Sequence, residues 1–180
     1  MNIIFLDIDG VLNCSKTKEF KTEKYAIDKI LLKRLKNIIE KTGVSIVLSS
    51  VWRFDENSCV YLKSIGINFI DKTPNFKNKI RGYEIEAWLK EHPEVKKYAI
   101  LDDDSDMLFS QKPYFFKTSF KIGLTKEIEK DIIKYFNEDL RLCLYCGNLL
   151  KRVPDPVTHN KSIYLWHCSC IPKNTFISIK

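Results

Sequence analysis

The sequence predicts an α/β fold, a parallel sheet covered on both faces by helices. Short apolar runs recur at Ile3–Leu6, Val44–Leu48 and Tyr98–Leu101, and each ends abruptly in polar residues. Runs of this length, bounded by turn residues, read as buried strands. The segments between them carry apolar residues at helical spacing, and strands alternating with helices build parallel sheets. The polar residues that close the runs are carboxylates and hydroxyls, and open α/β sheets place their ligands at the carboxyl ends of the strands.

The first strand runs into Asp7 and Asp9, with Gly10 allowing a sharp turn after them. Residues i and i+2 of a strand share a face, so both carboxylates are expected in one crevice. Such a pair repels unless a cation or a proton intervenes. Residues 14–25 are polar and rich in Lys and Thr, which predicts an exposed loop or flap over the strand end. Ile27, Ile30, Leu31, Leu35, Ile38 and Ile39 predict a helix stopped at Gly43. The second strand ends in Ser49 and Ser50, followed by Val51-Trp52-Arg53. A short helix is expected over 55–65, a short strand over 67–70 and a helix over 82–91, with Pro93 beyond its end. The third buried strand ends in the acidic stretch Asp102-Asp103-Asp104-Ser105-Asp106. An outer strand is expected over 114–117 and a last helix from a Thr125 cap to Asn137, with Glu127 and Glu129 in its first turn.

The stretch Asp7-Ile-Asp9-Gly-Val-Leu-Asn13 resembles the first motif of the haloacid dehalogenase superfamily, in its phosphatase branch. The resemblance implies a Rossmann-like three-layer sheet, with Asp7 as a nucleophile forming an aspartyl-phosphate and Asp9 as the acid/base. Ile-Val-Leu-Ser-Ser resembles the second motif, which implies phosphoryl binding by Ser49, with Ser50 as the alternate. Ser-Ser-Val-Trp-Arg is also similar to phosphatase domains linked to RNA repair, where Arg53 would contact a substrate phosphate as a bidentate donor. Arg81, in Arg-Gly-Tyr-Glu-Ile, fits the cationic third motif, and Lys79 competes with it. The acidic stretch resembles the fourth motif. The implied catalytic cofactor is Mg²⁺, held by Asp7, Asp9, Asp102, Asp103 and Asp106 in an oxygen-only site. The gaps from Asn13 to Val44 and from Ser50 to Arg81 hold no cap domain, so the site is expected to lie open to a large substrate.

Composition bounds the partners. The chain has 180 residues, 44% hydrophobic and 29% charged, which is a globular balance rather than a disordered one. No apolar stretch reaches membrane-spanning length and the N-terminal run is too short for a signal peptide, so the expected location is cytoplasmic. The net charge is +7, of which residues 141–180 carry six Lys and Arg against Asp155 alone. A basic tail on a near-neutral body points to a polyanionic partner.

That tail also holds Cys143-Leu-Tyr-Cys146-Gly147 and Cys168-Ser-Cys170. In a reducing compartment, such pairs suggest four thiolates around a structural Zn²⁺. The segment resembles a zinc ribbon with Tyr164 and Trp166 on a strand. His167 or His159 is the alternative fourth ligand. The expected organisation is a phosphatase domain over 1–140 and a zinc-ribbon-like module over 141–180.

Together these readings give a Mg²⁺-dependent phosphatase for a terminal phosphate on a macromolecule, nucleic acid being favoured. The alternatives are a phosphoprotein phosphatase that docks through the zinc module and a non-catalytic zinc adaptor.

Overall fold

A computed structural model describes residues 1–18 and 25–138, together with two short strands at 151–154 and 164–167. Five parallel strands form the central sheet: β1 (Asn2–Leu6), β2 (Ser45–Leu48), β3 (Phe69–Lys72), β4 (Lys97–Asp102) and β5 (Phe115–Lys117). Their order is β3-β2-β1-β4-β5. The first strand is thus the middle one, with Ile3 opposite Ser45 on one side and Tyr98 on the other.

Alternate residues of β1 supply two cores. Ile4 and Leu6 join Ile46, Leu48 and Leu101 on the face covered by three helices. These are α1 (Lys29–Thr42), α2 (Glu56–Ser64) and α4 (Lys126–Asn137). Leu35 and Ile38 of α1, Leu62 of α2 and Ile132 of α4 fill that layer. Ile3 and Phe5 face the other way, onto Ile85 and Trp88 of α3 (Arg81–Glu91). The Phe5 and Trp88 rings meet edge to face at 5.3 Å. Burial of the central strand on both faces is the arrangement expected of a parallel sheet.

The helix ends follow local chemistry. The Asp28 side chain accepts from the Ile30 and Leu31 N–H groups at the start of α1, and Gly43 closes that helix at φ +65°. Thr125 caps α4, as its sequence predicts. Two 3-10 segments, Val51–Phe54 and Phe109–Tyr114, were not anticipated.

Two sequence expectations change. The edge strand β3 covers Phe69–Lys72 rather than 67–70, because Ile67 is a buried residue of the turn after α2 and bonds back to Leu62 O. Residues 14–18 are not a free flap. Cys14 and Thr17 are buried, and the Ser15 N–H donates to Phe120 O, tying the turn to the loop after β5.

The strands β6 (Lys151–Pro154) and β7 (Tyr164–His167) form a separate antiparallel pair. Tyr164 and Trp166 lie on a strand, as the sequence suggests. Cys143, Cys146, Cys168, Cys170 and His159 lie outside the described residues. Among the described residues, no helix is long and apolar enough to cross a membrane.

Candidate active site

The parallel ladder continues one residue past the strands and sets three side chains at one level. The Asp7 N–H donates to Leu101 O and the Ser49 N–H to Leu6 O, each at 2.9 Å. Asp102 ends β4, and its carbonyl accepts from the Thr118 N–H at 2.9 Å. Asp7 is 7% exposed and Asp102 1%. One oxygen from each of Asp7, Asp102 and Asp103 lies within 4.8 Å of the others. Gly10 makes this convergence possible. Its φ is +70°, and a Cβ there would stand 2.2 Å from Asp103 Cγ.

Burial governs the electrostatics. It lifts Asp7 to about 6, opposed by the Arg81 cation and by a hydrogen bond from Ser50. It lifts Asp102 to about 8, with the Asp7 charge pushing the same way. Asp103 is raised as well, by burial first and then by Asp104. Three crowded carboxyls that resist ionisation, all offering oxygen, fit a hard divalent cation such as Mg²⁺.

Arg81 is the cation beside this cluster, since its charge acts on both Asp7 and Asp102. Lys79 is exposed, with its ammonium 5.2 Å from the centre of the Tyr83 ring. Asp106 explains how Arg81 is held. Its carboxylate accepts from the Arg81 N–H at 3.0 Å, and its carbonyl accepts from the Gly82 N–H at 3.1 Å. Asp106 therefore fastens the start of α3 and is not one of the converging carboxylates.

Asp9 also stands apart from that cluster. One of its oxygens accepts from Asn13 Nδ2 at 2.7 Å and the other from the Trp52 indole N–H at 2.9 Å. Asn13 is itself fixed, accepting from the Gly10 N–H and donating to Ala26 O. Of the five expected carboxylate ligands, three converge among the described residues; both Asp9 oxygens accept from other side chains, while Asp106 uses one oxygen on the Arg81 N–H and keeps the other buried without a partner.

Arg53 departs furthest from its expected role. It is 5% exposed and turned inward. Its guanidinium donates to the carbonyls of Ser49, Ser50, Thr73 and Pro74, and to Glu84 Oε2 at 2.7 Å. With its donors taken up in this way, it has none to offer a substrate phosphate. It holds the carboxyl end of β2 instead. Ser49 and Ser50 stay at that end as predicted, both fully buried.

Six buried side-chain atoms among the described residues have no hydrogen-bond partner. They belong to Ser49, Thr73, Arg81, Asp102, Asp106 and Thr118, on strand ends, the loops that follow them and the first residue of α3. An orphaned buried polar atom costs about 1–3 kcal/mol, so their concentration there marks a place built for a polar ligand. Asn13 and Glu84 were not singled out from the sequence. Both lie inside quoted motifs, Asn13 in the first and Glu84 in Arg-Gly-Tyr-Glu-Ile, but the letters alone do not show what either one holds.

The three-layer parallel sheet, with Asp7, Ser49 and Asp102 on adjacent strand ends, defines a haloacid-dehalogenase-like domain of the phosphatase and hydrolase class. Residues 3–128 match the family described as the HAD domain in Swiss Army Knife RNA repair proteins, and the chain belongs to that family. No curated protein and no solved structure matches the chain.

Proposed function

We propose that this protein is a Mg²⁺-dependent phosphomonoesterase that removes a terminal phosphate from RNA. The observation that carries the reading is the convergence of Asp7, Asp102 and Asp103 beside Arg81 and the unpartnered Ser49 hydroxyl. The match to a domain of RNA repair proteins supports the substrate class.

In this mechanism an Asp7 carboxylate oxygen attacks phosphorus and the bond to the ribose oxygen breaks. Asp9 gives that oxygen its proton. Asp9, now a carboxylate, takes a proton from water as the water attacks the aspartyl-phosphate. The Asp7–phosphorus bond then breaks, releasing inorganic phosphate and restoring both groups. Ser49 and Arg81 hold the phosphoryl oxygens, and Ser50 orients Asp7. Asp7, Asp102 and Asp103 would hold Mg²⁺, whose charge offsets the repulsion between a carboxylate and an incoming phosphate. The Asn13 and Trp52 donors fix the Asp9 carboxyl in position for both proton transfers. We also retain a structural Zn²⁺ on Cys143, Cys146, Cys168 and Cys170, which rests on their spacing alone. Metal analysis of the purified protein and of a Cys143→Ser variant tests it.

The test of function is phosphate release from 3′- and 5′-phosphorylated RNA with Mg²⁺, beside a phosphopeptide and Asp7→Asn. Release from RNA that is lost in Asp7→Asn supports the reading. Turnover of the peptide with inert RNA overturns the substrate, and activity surviving in Asp7→Asn overturns the mechanism.

A further inference from the structure

A groove of about 560 Å³ runs along α3 on the side away from the sheet. The spacing of Tyr83, Ala87 and Lys90 makes one stripe of that helix, while Ile85 and Trp88 are buried against the sheet. The other wall is the loop after β3, with Phe76, Lys77 and Lys79. Phe76 is 39% exposed and Tyr83 43%, so both rings present area to solvent in the same groove. Three lysines line the groove against one acid, Glu86, which is already paired with Lys90 at 3.0 Å. The surface is therefore aromatic and cationic at once. That combination takes a nucleic-acid strand, with bases stacking on rings and phosphates meeting lysines.

The groove is also tied to the active site. Arg81, beside Asp7, lies between Lys79 and Tyr83 in the chain and opens the same helix. The loop wall is not loose. Its Phe76 N–H donates to Glu84 Oε1 at 3.1 Å, and Glu84 is held by Arg53, which in turn holds the Ser49 and Ser50 carbonyls. One buried ion pair thus fixes both the carboxyl end of β2 and the loop that carries Phe76.

We propose that this groove binds the single-stranded RNA segment next to the terminal phosphate, with a base stacked on the exposed rings of Phe76 and Tyr83. Lys77 and Lys79 meet the backbone phosphates, and the base takes the Tyr83 face opposite the Lys79 ammonium, which lies 5.2 Å from the ring centre. The inference rests on the phosphatase reading and gives its substrate a path over the surface. It makes the enzyme sequence-tolerant, since every base has a face to stack, and selective for unpaired ends.

The test compares kcat/KM for a phosphorylated RNA hexamer with that for the corresponding phosphorylated mononucleotide, in wild type, Phe76→Ala/Tyr83→Ala and Tyr83→Phe. Wild type should favour the hexamer, and loss of two stacking rings should cut that preference by about tenfold or more, through KM. Tyr83→Phe should keep it. Binding of the hexamer to the Asp7→Asn protein, followed by fluorescence anisotropy, should weaken in parallel when the two rings are removed. A hexamer preference that survives in the double variant overturns the groove while leaving the phosphatase reading standing. A wild type with no hexamer preference also overturns the groove, and no turnover of either RNA substrate overturns the proposed function itself. Equal loss on hexamer and mononucleotide would show a damaged site rather than a lost subsite, and would likewise overturn the proposal.

Discussion

The Trp52 indole N–H points at Asp9 Oδ2 from 2.9 Å, so a residue two positions past Ser50 orients the carboxylate that the proposed mechanism uses as acid and base. Asn13 holds the other oxygen. Trp52→Phe keeps most of the ring and deletes the donor. Its expected effect is a fall in kcat of about tenfold to a hundredfold, with little change in KM or melting temperature. Steady-state kinetics beside thermal denaturation checks this. A rise in KM with kcat intact would mean that Trp52 touches substrate instead.

Arg53 and Glu84 form an ion pair with both side chains less than a tenth exposed. Removing one partner of a buried pair is far costlier than the pair is worth, about 3–5 kcal/mol. Arg53→Met also orphans the carbonyls of Thr73, Pro74, Ser49 and Ser50, so it is expected at or beyond that range. Glu84→Gln offers one oxygen where the Phe76 N–H and the guanidinium used two, but leaves the four carbonyl contacts of Arg53 in place, so it is expected near the lower end of that range. Urea denaturation of the two variants should rank them in that order. The reverse order would show that the carbonyl contacts matter little.

The raised carboxyls give the metal-free protein a particular pH dependence. Asp7 and Asp102 ionise near 3.8 when unperturbed but at about 6 and about 8 in the fold. Between those values the folded state holds more protons than the unfolded one, so stability falls as pH rises from about 4 to about 8. Mg²⁺ competes with those protons, so its stabilising effect should grow over the same interval. Melting temperatures in chelator and in Mg²⁺, read from pH 5 to pH 8, test both statements, with Asp102→Asn expected to flatten the chelator curve. A metal-free protein that gains stability across this range through Asp102 would contradict the buried-cluster account.

Gly10 combines a left-handed backbone with a close approach to Asp103. Gly10→Ala should cost about 1–2 kcal/mol from the backbone alone. The added methyl group should also drive Asp103 from its place, raising the Mg²⁺ concentration needed for half-maximal activity. Titration of activity against Mg²⁺ reads this directly. An unchanged midpoint would remove Asp103 from the metal-binding set.

The parts that the sequence made legible are those with a periodic or contiguous signature. β1, β2 and β4 are buried on both faces and read as plain apolar runs. Asp7 and Asp102 end those runs, so their meeting follows from the parallel sheet. The edge strand β3 carries only a thin pattern, Phe-Ile-Asp-Lys with two exposed positions, and the neighbouring buried Ile67 draws its expected start forward. Arg53 could not be read correctly, because four of its partners are backbone carbonyls and carbonyls have no letter in a sequence. Asp106 shares that difficulty for one of its two oxygens, the other being buried without a partner. Its carboxylate serves a main-chain N–H across a turn, while its spacing from Asp102 suits a metal ligand equally well.

The central place of β1 has a consequence for how the protein comes into being. The strand precedes the other four of its sheet in the chain, yet Ile3 must wait for Ser45 on one side and for Tyr98 on the other. Asp7 therefore meets Asp102 only when nearly the whole sheet is in hand, through contacts of long sequence separation that slow folding. The first half of the chain holds Asp7, Ser49 and Arg81 but lacks the carboxylates of Asp102 and Asp103. Assembly of the reaction site and acquisition of the fold are one cooperative event, and protection of the β1 amides from solvent exchange reports on both together.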